Sequence, residues 1–416
     1  MFFLYQIILS ILLLISPVVI FYRILINKES KERFLEKYSI FSKRKKKGKL
    51  IWFHGASVGE ILSVIPLIEK YEKDKSIRQI LVTSSTLSSS KVLERFKFKK
   101  TIHQFYVFDI FFLTSRFLDY WKPNVAIFID SEIWPAMFKS LNKKNVPLLL
   151  LNARLTKKSF NKWYKYKFFS KSIFKLITKA YPQNLETNKF LKKLGVKKIK
   201  YIGNLKFSEN YNDKRNEITP SLKNKFKNKK IWIASSTHSG EEIFCVKAHL
   251  QLKKKIKNLI TIIIPRHISR ANGIISEIAK FNLNTTTHSS KSKNFKNLDI
   301  YLVDTFGETK KFFKIASTVF LGGSIIKRGG QNPLEAARYG SKILHGQNID
   351  NFKDVYKLLN SLNISKKVSN YHELASSISF LRNQKIGLKI SKIGKIILKN
   401  TLKEIDTQIK NEFKKT

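Results

Sequence analysis

The chain of 416 residues has a single cysteine, Cys245, and only 29 acidic residues. One cysteine excludes a disulfide framework and any zinc site built from cysteines. The sequence also lacks H-E-x-x-H, a Walker motif and G-x-G-x-x-G, which disfavours a zinc hydrolase and the binding of ATP or NAD. Neither zinc-finger spacing nor an RNP-like aromatic motif occurs, so no known nucleic-acid module is recognisable.

The shortage of acids leaves a formal net charge of +51, from 80 lysines and arginines. Such an excess indicates a negatively charged partner: nucleic acid, an anionic membrane or an acidic substrate. The lysines are spread from end to end, and Ile, Asn and Phe are also abundant. A biased nucleotide composition produces the same pattern, so compositional drift explains the charge equally well.

The first 22 residues carry no charged side chain. At about 1.5 Å per residue they are long enough to cross the ~30 Å hydrocarbon core of a bilayer. No basic segment precedes the run and no A-x-A-like site follows it, which disfavours a cleaved signal peptide. Residues 1–26 are therefore predicted to form a membrane anchor that spans the bilayer or lies in its interface. A buried N-terminal helix is the alternative.

A strongly basic segment follows the anchor, comprising Arg23, Lys28, Lys31, Arg33, Lys37 and the run 43–47. By the positive-inside rule, everything after the anchor is predicted to stay in the cytoplasm. Basic residues beside a membrane helix also attract anionic lipid. An anionic membrane surface is therefore a predicted partner.

Short apolar runs alternate with helical patterns along the rest of the chain, which is typical of parallel sheets with crossover helices. The strand-like runs are Leu50–Phe53, Ile80–Thr83, Phe105–Phe108, Val125–Ile129, Leu148–Leu151, Ala180–Pro182, Ile231–Ser235, Leu259–Ile264, Ile300–Val303, Thr318–Leu321 and Lys342–Leu344. The pattern predicts two Rossmann-like domains, 27–208 and 231–384. A polar linker, 209–230, joins them, and a basic helix, 385–416, follows. Ligands are expected in the cleft where the carboxyl ends of the strands meet.

The stretch I-W-F-H-G-A-S-V-G-E, which ends at Glu60, is the strongest local signal. An apolar strand stops at a glycine turn that delivers Glu60 to the start of an amphipathic helix. Such a helix start holds anions or polar ligands and favours an ionised carboxylate, the form that a general base requires. The alternative is a glutamate that only stabilises the helix.

The same residues also fit G-x-S-x-G, the nucleophile elbow of α/β-hydrolases, with Ser57 as nucleophile. That elbow normally comes after several strands have built the sheet, whereas here it follows the first one. The hydrolase interpretation is therefore disfavoured.

Asp130 and Glu132 directly follow the strand-like run Val125–Ile129. Residues two apart in a strand point to the same face, so both carboxylates are expected to line one side of the cleft. Alternatively, Asp130 or Ser131 caps the following helix.

In the second half, glycines 322, 323, 329 and 330 bracket Lys327 and Arg328. Glycine lets the backbone approach a ligand closely, and the two cations suit a phosphate. A helix is expected from Asn332, with Pro333 in its first turn, and its free N–H groups would attract an anion. Together with Arg266, this cluster predicts a nucleotide phosphate site. Of the eight histidines, His54 and His267 lie beside such motifs.

Eight motifs in a fixed order then identify a family resemblance. They are H-G-A-S-V-G-E, D-S-E-I-W-P, N-A-R-L-T, G-N-L-K-F, S-S-T-H-S-G-E-E, P-R-H, V-D-T-F-G-E and G-G-S-x4-G-G-Q-N-P-L-E. The chain resembles the lipid A 3-deoxy-D-manno-octulosonic acid (Kdo) transferases, from the anchor to at least Phe352. Each motif alone is weak, but eight in order are specific.

The resemblance implies a GT-B glycosyltransferase of the lipopolysaccharide inner core, anchored on the cytoplasmic face of the inner membrane. It implies CMP-Kdo as donor, lipid IVA as acceptor, inversion at the anomeric centre, and neither a metal nor a cofactor. By resemblance, Glu60 is the base, and Asp130 and Lys206 steady the transition state. The CMP-binding segments it implies are Pro265 and Arg266; Phe306, Gly307 and Glu308; and Asn332, Pro333, Leu334 and Glu335.

The chain departs from the family at two positions, with Asp130 in place of the usual Glu and Gln331 in place of the usual His. Two alternatives stay open. One is another GT-B transferase that uses a UDP-sugar and a lipid acceptor. The other is a basic, membrane-bound nucleic-acid-binding protein, whereas the resemblance implies no nucleic acid.

Overall fold

The computed structural model describes residues 1–208, 217–290 and 295–413. The chain divides into two compact units: Met1–Glu209 together with Gly394–Thr416, and Asn210–Ile393. Of the expected linker 209–230, residues 209–216 lie outside the described residues. In its remainder, Pro220–Lys225 is helical and Lys230 already begins a strand.

The first unit is built on a six-stranded parallel sheet, in the order β3-β2-β1-β4-β5-β6. Its strands are β1 Leu50–His54, β2 Gln79–Ser84, β3 Thr101–Phe105, β4 Val125–Ile129, β5 Leu148–Ala153 and β6 Lys179–Pro182. Every residue of β1 and β4 is buried, as expected for central strands with both faces covered. The strand order reverses between β1 and β4, which makes this pair the topological switch point.

The helices of this unit are α1 Phe2–Leu25, α2 Val58–Lys73, α3 Leu87–Glu94, α4 Phe111–Trp121, α5 Pro135–Lys143, α6 Lys157–Lys165, α7 Lys167–Phe174 and α8 Leu185–Leu194, and α2 to α7 lie in the connections between the strands. Short 3-10 turns lie at Phe34–Tyr38 and Leu205–Ser208. Trp52, Phe117 and Phe128 belong to the core of this unit, and all three are fully buried.

The expected strand Phe105–Phe108 is wrong, because β3 is Thr101–Phe105. The strand β3 contains polar residues and so gives no continuous apolar run in the sequence. Inside the protein these residues form hydrogen bonds. His103 Nε2 bonds the Ser84 hydroxyl at 2.8 Å, and Gln104 accepts from the Trp121 indole at 3.0 Å.

The second unit has a seven-stranded parallel sheet, in the order β13-β12-β11-β7-β8-β10-β9. Its strands are β7 Lys230–Thr237, β8 Leu259–Pro265, β9 Thr285–Thr287, β10 Ile300–Leu302, β11 Thr318–Leu321, β12 Lys342–His345 and β13 Ser365–Lys367. The two edge strands, β9 and β13, were not expected. Each has three residues and is polar, so neither gives an apolar signal.

The helices of the second unit are α9 Pro220–Lys225, α10 Glu241–Lys253, α11 Ala271–Ala279, α12 Thr309–Phe313, α13 Leu334–Ala337, α14 Lys353–Ser361 and α15 Tyr371–Ser377. Short 3-10 turns lie at Ile268–Arg270 and Asp350–Phe352. Trp232, Ile263 and Phe320 are fully buried in its core. The last helix, α16 Gln384–Phe413, begins in this unit and ends in the first.

Within the described residues, α1 is the one helix long and apolar enough to cross a membrane. Only Ser16 and Ile20 are buried, so it is not the buried helix of the alternative interpretation. Pro17 lacks an N–H, and the Ser16 hydroxyl satisfies the stranded Leu13 carbonyl at 2.6 Å.

Polar side chains attach α1 to the first unit. The Tyr5 hydroxyl donates to Asp109 Oδ2 at 2.7 Å, and the Gln6 oxygen accepts from the Phe111 N–H at 2.8 Å. Further along the helix, Ser16 and Tyr38 bond through their hydroxyls at 2.6 Å. The helix therefore lies along the unit, and its apolar residues stay exposed.

The C-terminal part of α16 packs on the first unit. Asp406 accepts from Lys70 at 2.5 Å and from the Tyr71 hydroxyl at 2.9 Å. Gly394 meets the Phe207 carbonyl so closely that an added Cβ would overlap it. This contact reaches the turn Leu205–Ser208, which carries Lys206.

Candidate active site

Glu60 lies at the start of α2, just past the carboxyl end of β1. The Ser57 hydroxyl accepts from the Glu60 N–H at 3.4 Å and donates to Glu60 Oε1 at 2.8 Å. The Ala56 N–H donates to Oε2 at 2.7 Å. Ser57 therefore caps α2, and the Glu60 side chain folds back to accept from the Ser57 hydroxyl and the Ala56 N–H. Gly55 suits this turn, since an added Cβ would lie 3.0 Å from the Glu60 Cβ.

The pKa of Glu60 is raised to about 7 by burial and by the negative charges of Glu132 and Asp130. The hydrogen bonds from Ser57 and Ala56 oppose the rise. The helix start was expected to favour the ionised form of Glu60, and this expectation is wrong. Desolvation and two neighbouring negative charges raise the pKa by more than the helix start lowers it. A carboxyl group with a pKa near 7 is well matched to general-base work at neutral pH.

Asp130 follows β4, the strand that neighbours β1 at the switch point. Its backbone is left-handed, with φ +62°, so the strand alternation used to pair it with Glu132 does not extend to it. Asp130 is buried, and its Oδ2 accepts from Lys206 Nζ at 3.4 Å. Burial raises the pKa of Asp130, while the positive charges of Lys206 and Arg154 oppose the rise.

Hydrogen bonds to the backbone of the turn Leu205–Ser208 position Lys206. Asn152, the second-last residue of β5, accepts from the Leu205 N–H at 2.9 Å. Asn204 accepts from the Lys206 N–H at the same distance, 2.9 Å. The structure thus brings together Glu60, Asp130 and Lys206, three residues drawn from widely separated motifs.

Glu132 and His54 form a network that was not included among the predicted catalytic residues. His54 is fully buried; its Nε2 lies 3.2 Å from Glu132 Oε2, and its Nδ1 lies 2.9 Å from the Thr83 hydroxyl. Burial lowers the pKa of His54. A neutral ring that donates from Nε2 to the carboxylate accepts at Nδ1 from Thr83. The Trp134 indole also donates to Glu132 Oε2, at 2.8 Å.

The helix that follows Asp130 is capped by a different acid. Neither Asp130 nor Ser131 caps α5; instead, Asp109 accepts from the Ala136 and Met137 N–H groups at 2.9 and 2.8 Å. This cap comes from before α4, and no local sequence pattern indicates it.

Ser57 is not arranged as a hydrolase nucleophile. Its hydroxyl is engaged with Glu60, and both ring nitrogens of the neighbouring His54 are bonded to Thr83 and Glu132. A serine nucleophile needs a base within hydrogen-bond reach, usually histidine. The G-x-S-x-G match is therefore a helix cap.

In the second unit, two of the predicted donor-binding segments follow adjacent strands, β8 and β10. Pro265 ends β8, and the exposed Arg266 comes next, its N–H donating to the Thr237 carbonyl at 2.9 Å. Phe306, Gly307 and Glu308 follow β10, and the Phe306 side chain is 71% exposed. Lys310 Nζ of α12 lies 3.9 Å from Glu335 Oε1 of α13. This contact brings Glu335 close to the helix that follows the segment 306–308.

The glycine loop after β11 already holds an anion from the protein itself. Glu241 Oε2 accepts from the N–H groups of His238 and Gly323 at 3.0 and 2.7 Å. Its Oε1 accepts from Ser324 and Ile325 at 3.1 and 3.0 Å. The backbone donors of this loop, which was expected to approach a nucleotide phosphate closely, are thus occupied by a carboxylate. No local pattern could reveal this, because Glu241 lies more than 80 residues from the loop.

The helix expected to begin at Asn332 is only one turn long, Leu334–Ala337, with Pro333 as its N-cap. Asn332 Oδ1 accepts from the Leu334 N–H at 3.1 Å, so this donor is already satisfied. The expected anion site at the helix start is therefore weaker than the sequence indicated.

Positive charge nevertheless gathers at the carboxyl ends of β7 and β8. Burial lowers the pKa of His238, and the charges of His267, Arg328 and Arg266 act in the same direction, against that of Glu241. The His238 Nε2 is buried and has no hydrogen-bond partner within the described ranges. This group of side chains suits a phosphate.

Known proteins resemble this chain over most of its length. Residues 30–209 match a family model described as 3-deoxy-D-manno-octulosonic-acid transferase (kdotransferase). A 3-deoxy-D-manno-octulosonic acid transferase of Rickettsia bellii is 35% identical over 406 residues, covering 92% of this chain and 96% of the relative. The chain belongs to the Kdo transferase family. A Haemophilus influenzae enzyme of the same name is 28% identical over 84% of both chains.

As a Kdo transferase, the protein is a glycosyltransferase, and its fold agrees with solved structures of two-domain sugar-nucleotide proteins. The crystal structure of a Listeria monocytogenes protein described as a UDP-N-acetylglucosamine 2-epimerase covers 89% of the chain at 14% identity, with a TM-score of 0.60. A UDP-GlcNAc 2-epimerase from Neisseria meningitidis covers 85% at 14% identity, with a TM-score of 0.52. These likenesses concern the fold alone, two parallel-sheet Rossmann-like domains.

Proposed function

We propose that this Kdo transferase moves Kdo from CMP-Kdo to the lipid A precursor lipid IVA in lipopolysaccharide inner-core synthesis. The reaction inverts the anomeric centre and uses neither a metal nor a cofactor. The observation that carries the proposal is the group formed by Glu60, Asp130 and Lys206 at the switch point of the first sheet. Ligands in open α/β sheets bind at such points.

Glu60 acts as the general base. A hydroxyl oxygen of the acceptor attacks the anomeric carbon of Kdo, and its proton passes to Glu60. The bond between that carbon and the phosphate oxygen breaks, and CMP leaves with the electron pair. The pKa of Glu60, raised to about 7, supports this role, because the carboxylate form is available at neutral pH and binds a proton readily.

Asp130 and Lys206 steady the oxocarbenium-like transition state. A carboxylate stabilises positive charge that develops on the sugar ring, and the ammonium group 3.4 Å away favours the ionised form of Asp130. Asp130 is buried and its backbone is left-handed, which restricts where the carboxylate lies.

The second unit binds CMP-Kdo. Arg266 neutralises the charge that accumulates on the phosphate, and Arg328 and His238 lie in the same charged group. The segments at Phe306–Glu308 and Asn332–Glu335 complete the nucleotide site, with Glu335 accepting hydrogen bonds from the ribose hydroxyls.

The proposed reaction proceeds without a metal ion, because positive charge near the departing phosphate is supplied by side chains of the second unit. Arginine and lysine side chains supply cationic stabilisation in its place.

The acceptor side of the proposal is a membrane. The apolar exposed face of α1 and the basic residues after it bring the enzyme to the cytoplasmic face of the inner membrane, where a phosphorylated lipid is presented.

The test is a transfer assay on detergent-solubilised protein, with CMP-Kdo generated in situ, lipid IVA as acceptor and mass detection of the lipid products. We expect products heavier by one or more Kdo units. Intact lipid IVA in the presence of donor and folded protein would contradict the proposal.

The choice of nucleotide is tested separately by competition. CMP should inhibit transfer, whereas UDP should not. Inhibition by UDP alone would favour a transferase that uses a UDP-sugar.

A further inference from the structure

The segment 157–175, which comprises α6, the bend at Tyr166 and α7, is the lysine–aromatic corner. All seven of its lysines are exposed: Lys157, Lys158, Lys162, Lys165, Lys167, Lys171 and Lys175. It contains no acid, and none occurs in the chain between Glu132 and Glu186. The corner therefore carries seven positive charges and no negative one, and no role assigned above uses it.

Aromatic rings alternate with these lysines at the bend. Phe168 is 93% exposed, Tyr166 is 50% exposed and Tyr164 is 42% exposed. Isolated apolar side chains are common on protein surfaces, but an exposed aromatic group amid a dense field of cations is an interaction signature.

The inner side of the corner is well packed, so its outer side is a fixed surface. The Trp163 ring meets that of Phe174 edge-on at 5.3 Å, and the Phe160 ring stacks on that of Phe190 at 4.3 Å. The Ser170 hydroxyl closes the bend by donating to the Tyr166 carbonyl at 3.1 Å. Phe168 is thus held outward by the fold.

A partner for this surface must offer both anions and an apolar phase. Anionic lipid does so, because headgroups attract lysines while acyl chains accept aromatic rings. Single-stranded nucleic acid also combines phosphates with stacking surfaces.

The position of the corner beside α1 favours lipid. Lys139 of α5 lies 3.5 Å over the ring of Phe2, at the first turn of the apolar helix. Helix α5 also packs against α7, and the charge of Lys175 acts on Lys139. The corner is therefore continuous, through α5, with the end of the exposed apolar helix.

We propose that the lysine–aromatic corner is a second membrane contact, which inserts Phe168 into an anionic lipid surface while the surrounding lysines bind headgroups. This inference rests on the membrane-surface part of the proposed function and adds a contact distinct from α1 and from the basic run 43–47. It adds a second contact between the first unit and the bilayer, next to the one made by α1.

The single buried cysteine permits a direct test in the full-length protein. Because Cys245 is fully buried, a cysteine introduced at the surface takes up a bimane label selectively. Phe168→Cys carries the probe at the corner, Leu12→Cys on α1 is the positive control, and Leu381→Cys, at a position 82% exposed in the second unit, is the matched negative control. Each labelled protein is bound to phosphatidylcholine–phosphatidylglycerol vesicles whose acyl chains carry a doxyl quencher.

We expect quenching at positions 168 and 12 and none at position 381. Quenching at position 12 alone overturns this inference and leaves the anchor in place. An absence of quenching at both positions overturns the membrane part of the proposed function as well. A probe at position 168 that responds to a single-stranded oligonucleotide but not to vesicles assigns the corner to nucleic acid and also overturns the inference.

Charge reversal provides an independent measurement. The triple variant Lys165→Glu, Lys167→Glu, Lys171→Glu should lower the partition onto anionic vesicles by at least about tenfold, because each lysine near the surface contributes to binding. The matched triple variant Lys254→Glu, Lys255→Glu, Lys257→Glu makes the same charge change at exposed lysines of the second unit. Equal losses in both variants would show a general effect of net charge and contradict a specific contact.

Discussion

The properties of Glu60 arise from a few atoms around one carboxyl group. The helix start alone would favour ionisation, but burial and two neighbouring acids raise its pKa to about 7. Hydrogen bonds from the Ala56 N–H and the Ser57 hydroxyl also fix the position of this carboxyl group. Glu60 is therefore both held in place and more basic than an ordinary glutamate. The role proposed for Glu60 therefore depends on the environment of its carboxyl group more than on the side chain itself.

Replacing Glu60 by Gln should lower kcat by at least about 100-fold, because general-base assistance is lost. The amide keeps the size of the side chain, so binding of CMP, measured by calorimetry, should be unchanged. Transfer at the wild-type rate would remove Glu60 from the mechanism.

The rate should also depend on pH in a defined direction. The base works as the carboxylate, so kcat/KM should fall about tenfold per pH unit below the pKa of Glu60, about 7, and level off above it. A profile that is flat between pH 5 and pH 8 would contradict this assignment.

Glu132 should tune that profile without being the base. Glu132→Gln removes one of the negative charges that raise the pKa of Glu60, so the acidic limb should move to lower pH. The exposed Glu186→Gln serves as the control and should leave the limb where it is. A limb that stays in place in Glu132→Gln as well would show that the two carboxyl groups are not coupled.

At the scale of elements, the candidate site depends on contacts that sequence spacing does not reveal. The turn that carries Lys206 is bonded by Asn152 of β5 and contacted by Gly394 of α16, which lies nearly 190 residues further along the chain. An element at the end of the sequence thus helps to position a residue near its middle.

Gly394→Ala should therefore impair catalysis, although alanine is the better helix former by about 1 kcal/mol. The added Cβ would strike the Phe207 carbonyl and displace the neighbouring Lys206, which should lower kcat by about tenfold or more with CMP binding retained. Gly273→Ala is the matched control, because it lies within α11 with open space around it. Equal activity in both variants would mean that the turn is insensitive to α16.

How far the sequence predicts the structure is clear from particular strands and residues. Runs such as Val125–Ile129 and Thr318–Leu321 were predicted with the observed bounds, because central parallel strands are continuously apolar. The polar strand β3 was misplaced, and the polar strands β9 and β13 were missed. All three lie at the edge of a sheet, and the polar side chains of β3 are also satisfied by hydrogen bonds inside the protein.

For the candidate site, motifs alone indicated Glu60, Asp130 and Lys206, but not what surrounds them. The capture of the glycine loop by Glu241, the cap supplied by Asp109 and the link from His54 to Glu132 all join residues distant in sequence. Such contacts form only once the chain has folded.

At the scale of the whole molecule, charge and apolar surface act together. The net charge of +51 favours approach to any anionic surface, but salt screens such attraction. The exposed apolar face of α1 adds a contact that salt does not weaken.

The full-length protein should therefore stay on anionic vesicles in 1 M salt, where the Debye length is only about 3 Å, and should be released by detergent. The variant Leu12→Glu, Ile15→Glu, altered at two exposed positions of α1, should instead be released by salt, since mainly electrostatic binding remains. Flotation measures both, and release of the wild type by salt alone would argue against an apolar contact.

The attachment of α1 also bears on how the protein is handled in the laboratory. An apolar N-terminal helix is often trimmed to obtain soluble material, on the assumption that it is an appendage. Here Tyr5 donates to the carboxylate of Asp109, which caps α5, and Trp134, the N-cap residue of α5, donates to Glu132. Removing α1 would take away the Tyr5 hydroxyl that donates to Asp109 and would expose the Asp109 carboxylate, which is buried in the folded protein. Asp109 is linked through the first turn of α5 and Trp134 to Glu132, beside the candidate active site. Low activity in a shortened enzyme would then reflect a damaged scaffold as much as a lost membrane.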